Sequence, residues 1–272
     1  MAPVDDARRL YLDLLKAAVR NSIYRDEVPR PSPREREFAE ALRATLREKY
    51  GARAPDWSAE TLHAVLEANR PVAHTLAELA QVDNVLSCVE TVLADDVPGD
   101  LIETGVFRGG QTILMRGILK AYGVTDRRVF VADSFQGLPA PKLNIDDAIA
   151  HDVLDSVAHF AISADRVRDN FRRYGLLDEQ VCFLEGWFCD TLPHAPISKI
   201  AVMRLDGDYY ESTRDALTSL YGKLSVGGFA IIDDYGLPLG CRQAVDEFRA
   251  EQGIREPLRA VDAQTVFWRR EQ

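Results

Sequence analysis

The stretch KIAVMRLDGDYYESTRDAL, residues 199–217, decides the fold. An apolar run, KIAVMRL, ends at Asp206 and Asp208 around Gly207. A helical stretch, STRDALTSLYGKLS, then begins at Ser212. An apolar run without strict alternation reads as a strand covered on both faces. The same texture recurs from about residue 98 onward. GDLIETG, RRVFVADS, QVCFLEG, GGFAIIDDYG and QTVFWRR read as strands. GGQTILMRGILKAYG, SADRVRDNFRRYG and CRQAVDEFRAEQG read as helices between them. Strands alternating with helices predict an α/β fold built on a parallel, doubly covered sheet.

The totals bound what such a fold does. The 272 residues are 46% apolar, enough for one full-sized core with a small appendage. A formal net charge of −10 disfavours nucleic acid as a main partner. The four cysteines, Cys88, Cys182, Cys189 and Cys241, form no C-x-x-C pair, which argues against a zinc site. Scattered thiols and no secretory apolar stretch in MAPVDDARRL predict a cytoplasmic protein. No apolar run approaches the roughly 18 residues of a membrane span, so no membrane partner is expected.

Residues 6–70 read as helical and polar. RRLYLDLLKAAV places Leu10, Leu14 and Ala18 at helical intervals. EVPRPSPRERE is a break, after which Pro33 opens a second helix with Ser32 before it. SAETLHAVLEANR reads as a short helix capped by Ser58. Between the second and third strands, LPAPKLNIDDAIAHDVLDSVAHFAI is too long for a plain βα loop. It is either a lid over a substrate or a surface insertion without a role.

The strand ends carry the chemistry. LIETGVFRGGQT follows the first strand and opens a helix, and glycines at such a turn let backbone amides approach a ligand. The spacing of Gly105, Gly109 and Gly110 is not the dinucleotide G-x-G-x-x-G pattern. Glu103 at the strand end is a cofactor contact, a solvated charge or a helix cap. VADSFQG ends the second strand, and its Asp133 stands where α/β folds bind ribose hydroxyls. A mononucleoside cofactor such as S-adenosylmethionine fits this pair. Trp187 and Phe188 in EGWF are a stacking wall for adenine or ordinary core aromatics.

In a parallel sheet, ligands gather at the carboxyl ends of strands. With strands about 5 Å apart, Asp206, Asp233 and Asp234 can converge on one point. Clustered carboxylates without a counter-charge repel, and a hard divalent cation, Mg²⁺ foremost, resolves the repulsion. Two hydroxyls of a diol can chelate such a cation, which lowers a hydroxyl's pKa. Asp208 is then the candidate general base, although an aspartate of pKa near 3.9 is feeble toward a free alcohol. The plainer alternative makes Asp208 a helix cap. Tyr209, directly after it, is expected to touch the acceptor.

PGDLIETGVFRGG, VADSFQGLP, YGLLDEQVCFLEGWFCDTLP, MRLDGDYYEST and LSVGGFAIIDDYG resemble the macrocin O-methyltransferase family (TylF/MycF/NovP type) over residues 71–270. The resemblance implies a class I methyltransferase (Rossmann-like) fold: a mostly parallel seven-stranded sheet with helices on both faces, plus an N-terminal helical extension. It implies S-adenosylmethionine- and Mg²⁺-dependent methylation of a sugar hydroxyl on a glycosylated small-molecule acceptor, by a homodimer. Residues 1–80 would form the extension that serves substrate and dimer, and 81–272 the cofactor domain, with a lid at about 138–162. Carried over by motif, Asp206, Asp233 and Asp234 bind the metal and Asp208 is the base. Glu103, Gly105, Asp133, Ser134, Gly186 and Trp187 line the cofactor. Thr75 and Leu76 belong to the segment that closes over its methionine end, Leu76 standing where the family usually has methionine. About a dozen extra residues precede His74, and the insertion matches poorly. Two other activities fit the same logic: methylation of a phenolic or catechol-type acceptor, and a metal-dependent hydroxylase on the same scaffold. The N-terminal helices either wall the acceptor pocket, through Tyr11, Tyr24 or Trp57, or build only the dimer contact.

Overall fold

The computed structural model describes residues 3–24, 33–51, 73–157, 160–237 and 239–272. The helix expected at 58–70, its cap Ser58 and Trp57 lie outside the described residues. Seven strands form one sheet: β1 (Asp100–Thr104), β2 (Val129–Asp133), β3 (Val181–Glu185), β4 (Ile200–Leu205), β5 (Leu224–Ile232), β6 (Arg259–Ala260) and β7 (Val266–Arg269). Their order is β3-β2-β1-β4-β5-β7-β6. β1 to β5 run parallel, and β7 is antiparallel to both β5 and β6. The helices are α1 (Pro3–Val19), α2 (Pro33–Tyr50), α3 (Leu79–Ala94), α4 (Gly110–Ala121), α5 (Ile145–Val157), α6 (Ala164–Arg173), the single turn α7 (Phe188–Thr191), α8 (Tyr210–Leu220) and α9 (Cys241–Gln252).

The apolar runs are continuous because both sheet faces are covered. Successive strand residues point to opposite faces. On one face Leu101, Val129, Val131, Val202, Phe229 and Ile231 pack with α1, α3, α4 and α6. On the other, Ile102, Phe130, Ala132, Met203, Ala230, Ile232 and Trp268 pack with α8 and α9. The strand order reverses between β1 and β4, which opens a crevice at their carboxyl ends.

Three local readings change. Leu10 and Leu14 are exposed on α1, whereas Leu12, Leu15 and Val19 are buried. The helix carries two apolar stripes, and its docking partner selects between them. Leu15 seats on Gly117 of α4, where a Cβ would come within 2.2 Å of Leu15 Cδ2. Helix α3 was not read from the sequence. Its signals are a reciprocal capping box between Glu78 and Gln81 and the buried Val82, Val85, Val89 and Val92. Strand β6 is two residues long and too short to show a period.

Because α1 shares the main core, Leu15→Ala should cost about 2–5 kcal/mol of stability, whereas Leu10→Ala should change it by less than about 0.5 kcal/mol. Urea unfolding of the two variants checks this.

Candidate active site

A cavity of about 1820 Å³ opens at the carboxyl ends of the strands. Binding sites for single small ligands run to roughly 300–1,000 Å³, so this one has room for two. Thr75, Leu76, Glu103, Gly105, Asp133, Ser134, Trp187, Asp206, Asp208, Asp233 and Asp234 all line it. Gly186 does not; its amide donates to Asp133 O at 2.9 Å and it holds the turn at φ 145°.

Register explains how the charged groups meet. Glu103 of β1 pairs with Arg204 of β4, and Arg204 pairs with Ile231 of β5. Asp206 and Asp233 lie two residues beyond Arg204 and Ile231, so they emerge on the same face. The Arg204 guanidinium, 2% exposed, bonds all three: Glu103 Oε1, Asp206 Oδ2 and Asp233 Oδ1, each at 2.6 Å. This corrects the expectation of carboxylates without a counter-charge. The sequence held the signal, since Arg204 is a cation inside an otherwise apolar strand. Glu103 is therefore not solvated, and the Thr112 amide in the first turn of α4 also acts on its carboxyl. Burial outweighs Arg204 and pushes its carboxyl up to about 7.

One guanidinium does not balance the cluster. Asp206, Asp208 and Asp234 each bring a carboxylate oxygen within 4.8 Å of the others. Enclosure by the strand ends, then the neighbouring carboxylates, raise Asp206 and Asp234 well above the ordinary range. Burial, then Asp233 and Asp147, push Asp208 up to about 7. Asp233 stands beside this trio, its Oδ1 held by Arg204 and, at 3.2 Å, by Thr265 Oγ1. Thr265 in turn accepts from Gln81 Nε2 at 2.7 Å. Gln81 and Thr265, both missed in the sequence, support Asp233 from α3 and from the approach to β7.

The glycine turn also has a packing reason. A Cβ on Gly105, at φ 80°, would lie 1.7 Å from Asp206 O. A Cβ on Gly110 would meet His74 C at 2.6 Å, and the Gly110 amide donates to His74 O at 2.8 Å. The glycines let two chain segments cross the turn, and this seats Thr75 and Leu76 at the cavity. Asp133 is held open-side out: Oδ2 accepts from Val106 N–H at 2.8 Å and Oδ1 from Phe135 N–H at 2.7 Å. The Phe107 amide and the Ser134 side chain act on it as well, while burial raises its pKa.

Tyr209 does not face the cavity. It is fully buried, with its hydroxyl 3.4 Å from His151 Nδ1. Tyr210 lines the cavity instead. The amide of Tyr210 at the start of α8 is capped not by Asp208 but by Asp147 Oδ2 at 2.7 Å. Among the described residues, none before Thr75 lines the cavity. Tyr11 instead points at Gly117 of α4, its hydroxyl 3.3 Å from where a Cβ would sit. Of Tyr24 only the backbone is described.

The comparisons with known proteins accord with this geometry. Residues 8–270 match the macrocin-O-methyltransferase (TylF) family. The chain belongs to that family. A Streptomyces olivaceus relative, 8-demethyl-8-(2,3-dimethoxy-alpha-L-rhamnosyl)-tetracenomycin-C 4'-O-methyltransferase, is 47% identical over 97% of this chain and 94% of its own. The mycinamicin III 3''-O-methyltransferase of Micromonospora griseorubida is 46% identical over 96% of each chain. The solved structure of the O-methyltransferase NovP shares 45% identity with a TM-score of 0.79, covering 97% of this chain and 100% of that one. This member of the macrocin-O-methyltransferase family is thus an O-methyltransferase with the methyltransferase fold, which supports S-adenosylmethionine as its cofactor. No helix among the described residues is long and apolar enough to cross a membrane.

Two measurements test the architecture of the site. Gly105→Ala forces a Cβ into Asp206 O and should cost about 3 kcal/mol or more of stability, read by urea unfolding. Burial, then Arg108, Arg173 and Arg166, lower the pKa of His74. The unfolded chain then takes up the His74 proton first, near its ordinary pKa of about 6.5, as pH falls. The stabilisation is complete above about pH 6.5 and declines below it. Urea midpoints should drop over that range, and His74→Gln should flatten the drop.

Proposed function

We propose that this chain transfers a methyl group from S-adenosylmethionine to a sugar hydroxyl of a glycosylated natural product, with Mg²⁺ at the strand ends and Asp208 as general base. The observation that supports the reading is four carboxyl groups on the cavity that Gly105 and Asp133 also line: Asp206, Asp208 and Asp234 within 4.8 Å of one another, and Asp233 beside them on Arg204. The donor set fits a hard divalent cation: oxygen-only, enclosed and in anionic excess even after Arg204 is counted. Asp206, Asp233 and Asp234 would hold the cation. When bound, it supplies the missing positive charge and lowers the pKa of an acceptor hydroxyl.

The chain's own residues do the rest. Asp208, on the same turn as Asp206 and facing the same cavity, takes the hydroxyl proton. Asp133 receives the ribose hydroxyls, while Thr75 and Leu76 close over the methionine end. Trp187 and Phe188 wall the adenine side, because both line the cavity. Positioning of the attacking oxygen in line with the sulfonium supplies the remaining acceleration. The insertion, about 138–162, is the lid: Leu138, Leu143, Ile149 and Phe160 bring apolar surface to the cavity wall. Residues 81–272 form the cofactor domain and 1–80 the part that serves acceptor and dimer. Homodimerisation rests on the family resemblance, and a cytoplasmic location on the scattered thiols of the sequence. The rhamnosyl-bearing acceptor in the name of the Streptomyces olivaceus relative favours a glycoside over a bare phenol.

Asp208→Asn should lower turnover at least about a hundredfold while S-adenosylhomocysteine binds with near-parental affinity by calorimetry. Parental turnover would remove Asp208 from the role of base. Chelation by EDTA should abolish turnover of the parent, and Mg²⁺ should restore it under strictly anaerobic conditions. A requirement for oxygen would replace methyl transfer by hydroxylation. Mass spectrometry against mycinamicin III and against catechol separates the sugar acceptor from the phenolic one.

A further inference from the structure

Asp147 lies in the first turn of α5, within the insertion, and its side chain is fully buried. Its two oxygens accept from two distant chain segments. Oδ2 takes the Tyr210 amide at 2.7 Å, and Oδ1 takes the Gly240 amide at 2.6 Å. Tyr210 follows Asp208 by two residues, and Gly240 closes the loop that begins at Asp233 and Asp234. Helix caps are ordinarily local, with the side chain two or three residues before the amide it serves. Here the cap comes from 63 residues upstream. Gly240 is shaped to the arrangement: a Cβ there would lie 2.4 Å from Asp147 Oδ2 and 2.7 Å from Tyr210 Cβ.

Asp208 needs such support. It sits at φ 58°, a left-handed conformation that a non-glycine residue holds only when its surroundings impose it. Its own amide donates to Asp234 Oδ2 at 2.9 Å, so the turn and the Asp234 loop are already linked on the cavity side. Asp147 links the same two segments from behind. The insertion grips the next residues as well. Lys142 and Leu143 amides donate to Glu211 Oε1 at 2.7 and 2.8 Å, and His151 meets the Tyr209 hydroxyl. Residues 209, 210 and 211 are each held by the insertion, and the contact to 210 continues through Asp147 to Gly240.

We infer that Asp147 is a positioning residue for methyl transfer: it fixes the Asp208 turn against the Asp234 loop and so couples the insertion to the proton-accepting carboxylate. The inference rests on the reading of Asp208 as base. A misplacement of about 1 Å in a reacting group costs on the order of a hundredfold in rate, so loss of this brace is read in kcat.

The test uses the full chain with Asp147→Asn and Asp147→Ala. Asparagine keeps one acceptor and sets an amide N–H₂ against the other donor, so it retains the shape if alanine fails to fold. With 8-demethyl-8-(2,3-dimethoxy-α-L-rhamnosyl)-tetracenomycin C or mycinamicin III as acceptor, kcat should fall about thirty- to a hundredfold. The KM for S-adenosylmethionine should stay within about twofold. In the Asp208→Asn background the same change should cost nothing further, because it acts through Asp208. Hydrogen exchange, which needs no acceptor, should quicken at least about tenfold at amides 207–211 and 239–241 and not in β1 or β2. Unchanged kcat and exchange in Asp147→Asn overturn the inference. So does a full multiplicative loss in the double variant. Parental turnover in Asp208→Asn alone overturns the base reading instead, and the exchange result then decides whether Asp147 still braces the turn.

Discussion

The carboxyl end of the sheet depends on one buried guanidinium. Arg204 stands in the central strand with Glu103 beside it in register and with Asp206 and Asp233 beyond it on the same face. Burying a charge is costly unless it is paired and hydrogen-bonded, and removing one partner of a buried pair typically costs about 3–5 kcal/mol. Here the cation holds three anions, so the strand ends of β1, β4 and β5 are locked to each other by charge as well as by the backbone ladder. The arrangement also leaves a surplus of negative charge on the cavity side, in Asp206, Asp208 and Asp234. The same residues therefore hold the sheet together at its carboxyl end and leave a site there that favours a cation.

The second constraint is close passage of backbone. Gly105 lies against Asp206 O, Gly110 against the His74 peptide, and Gly240 against Asp147 and Tyr210. Each glycine marks a place where two segments distant in sequence cross with no room for a Cβ. These crossings bring the 73–77 segment, the β4 turn and the insertion to one cavity. They show that glycines read as ligand contacts in a βα turn are packing requirements as well. The Gly110 amide is already given to the protein, to His74 O.

Much of the site was legible because period-two geometry converts position in a strand directly into a face. The β1, β2, β4 and β5 ends placed Glu103, Gly105, Asp133, Asp206, Asp208, Asp233 and Asp234 at one cavity. Readings that depended on which of two faces a residue presents did not transfer. Leu10 and Leu14 looked like the inward stripe of α1, yet Leu12 and Leu15 pack, because the groove at Gly117 selected them. Tyr209 looked exposed beside Asp208, yet the left-handed turn at Asp208 sends it inward and leaves Tyr210 at the cavity. Arg204 was readable in principle, as a charge in an apolar strand, but its partners lie on β1 and beyond β5.

By itself, then, the sequence determined the α/β class, the strand ends as the place of chemistry and the identity of the acidic residues there. Those follow from local pattern, since apolar runs, turns and helix starts are set by neighbours along the chain. Tertiary structure alone decided the pairing of Arg204 with three carboxylates, the grouping of Asp208 with Asp206 and Asp234 while Asp233 stands aside, and the long-range cap that Asp147 places on α8. Each of these joins residues far apart in sequence whose meeting depends on strand order and register, and a single charge or a single glycine along the chain carries no record of which distant partner it will face.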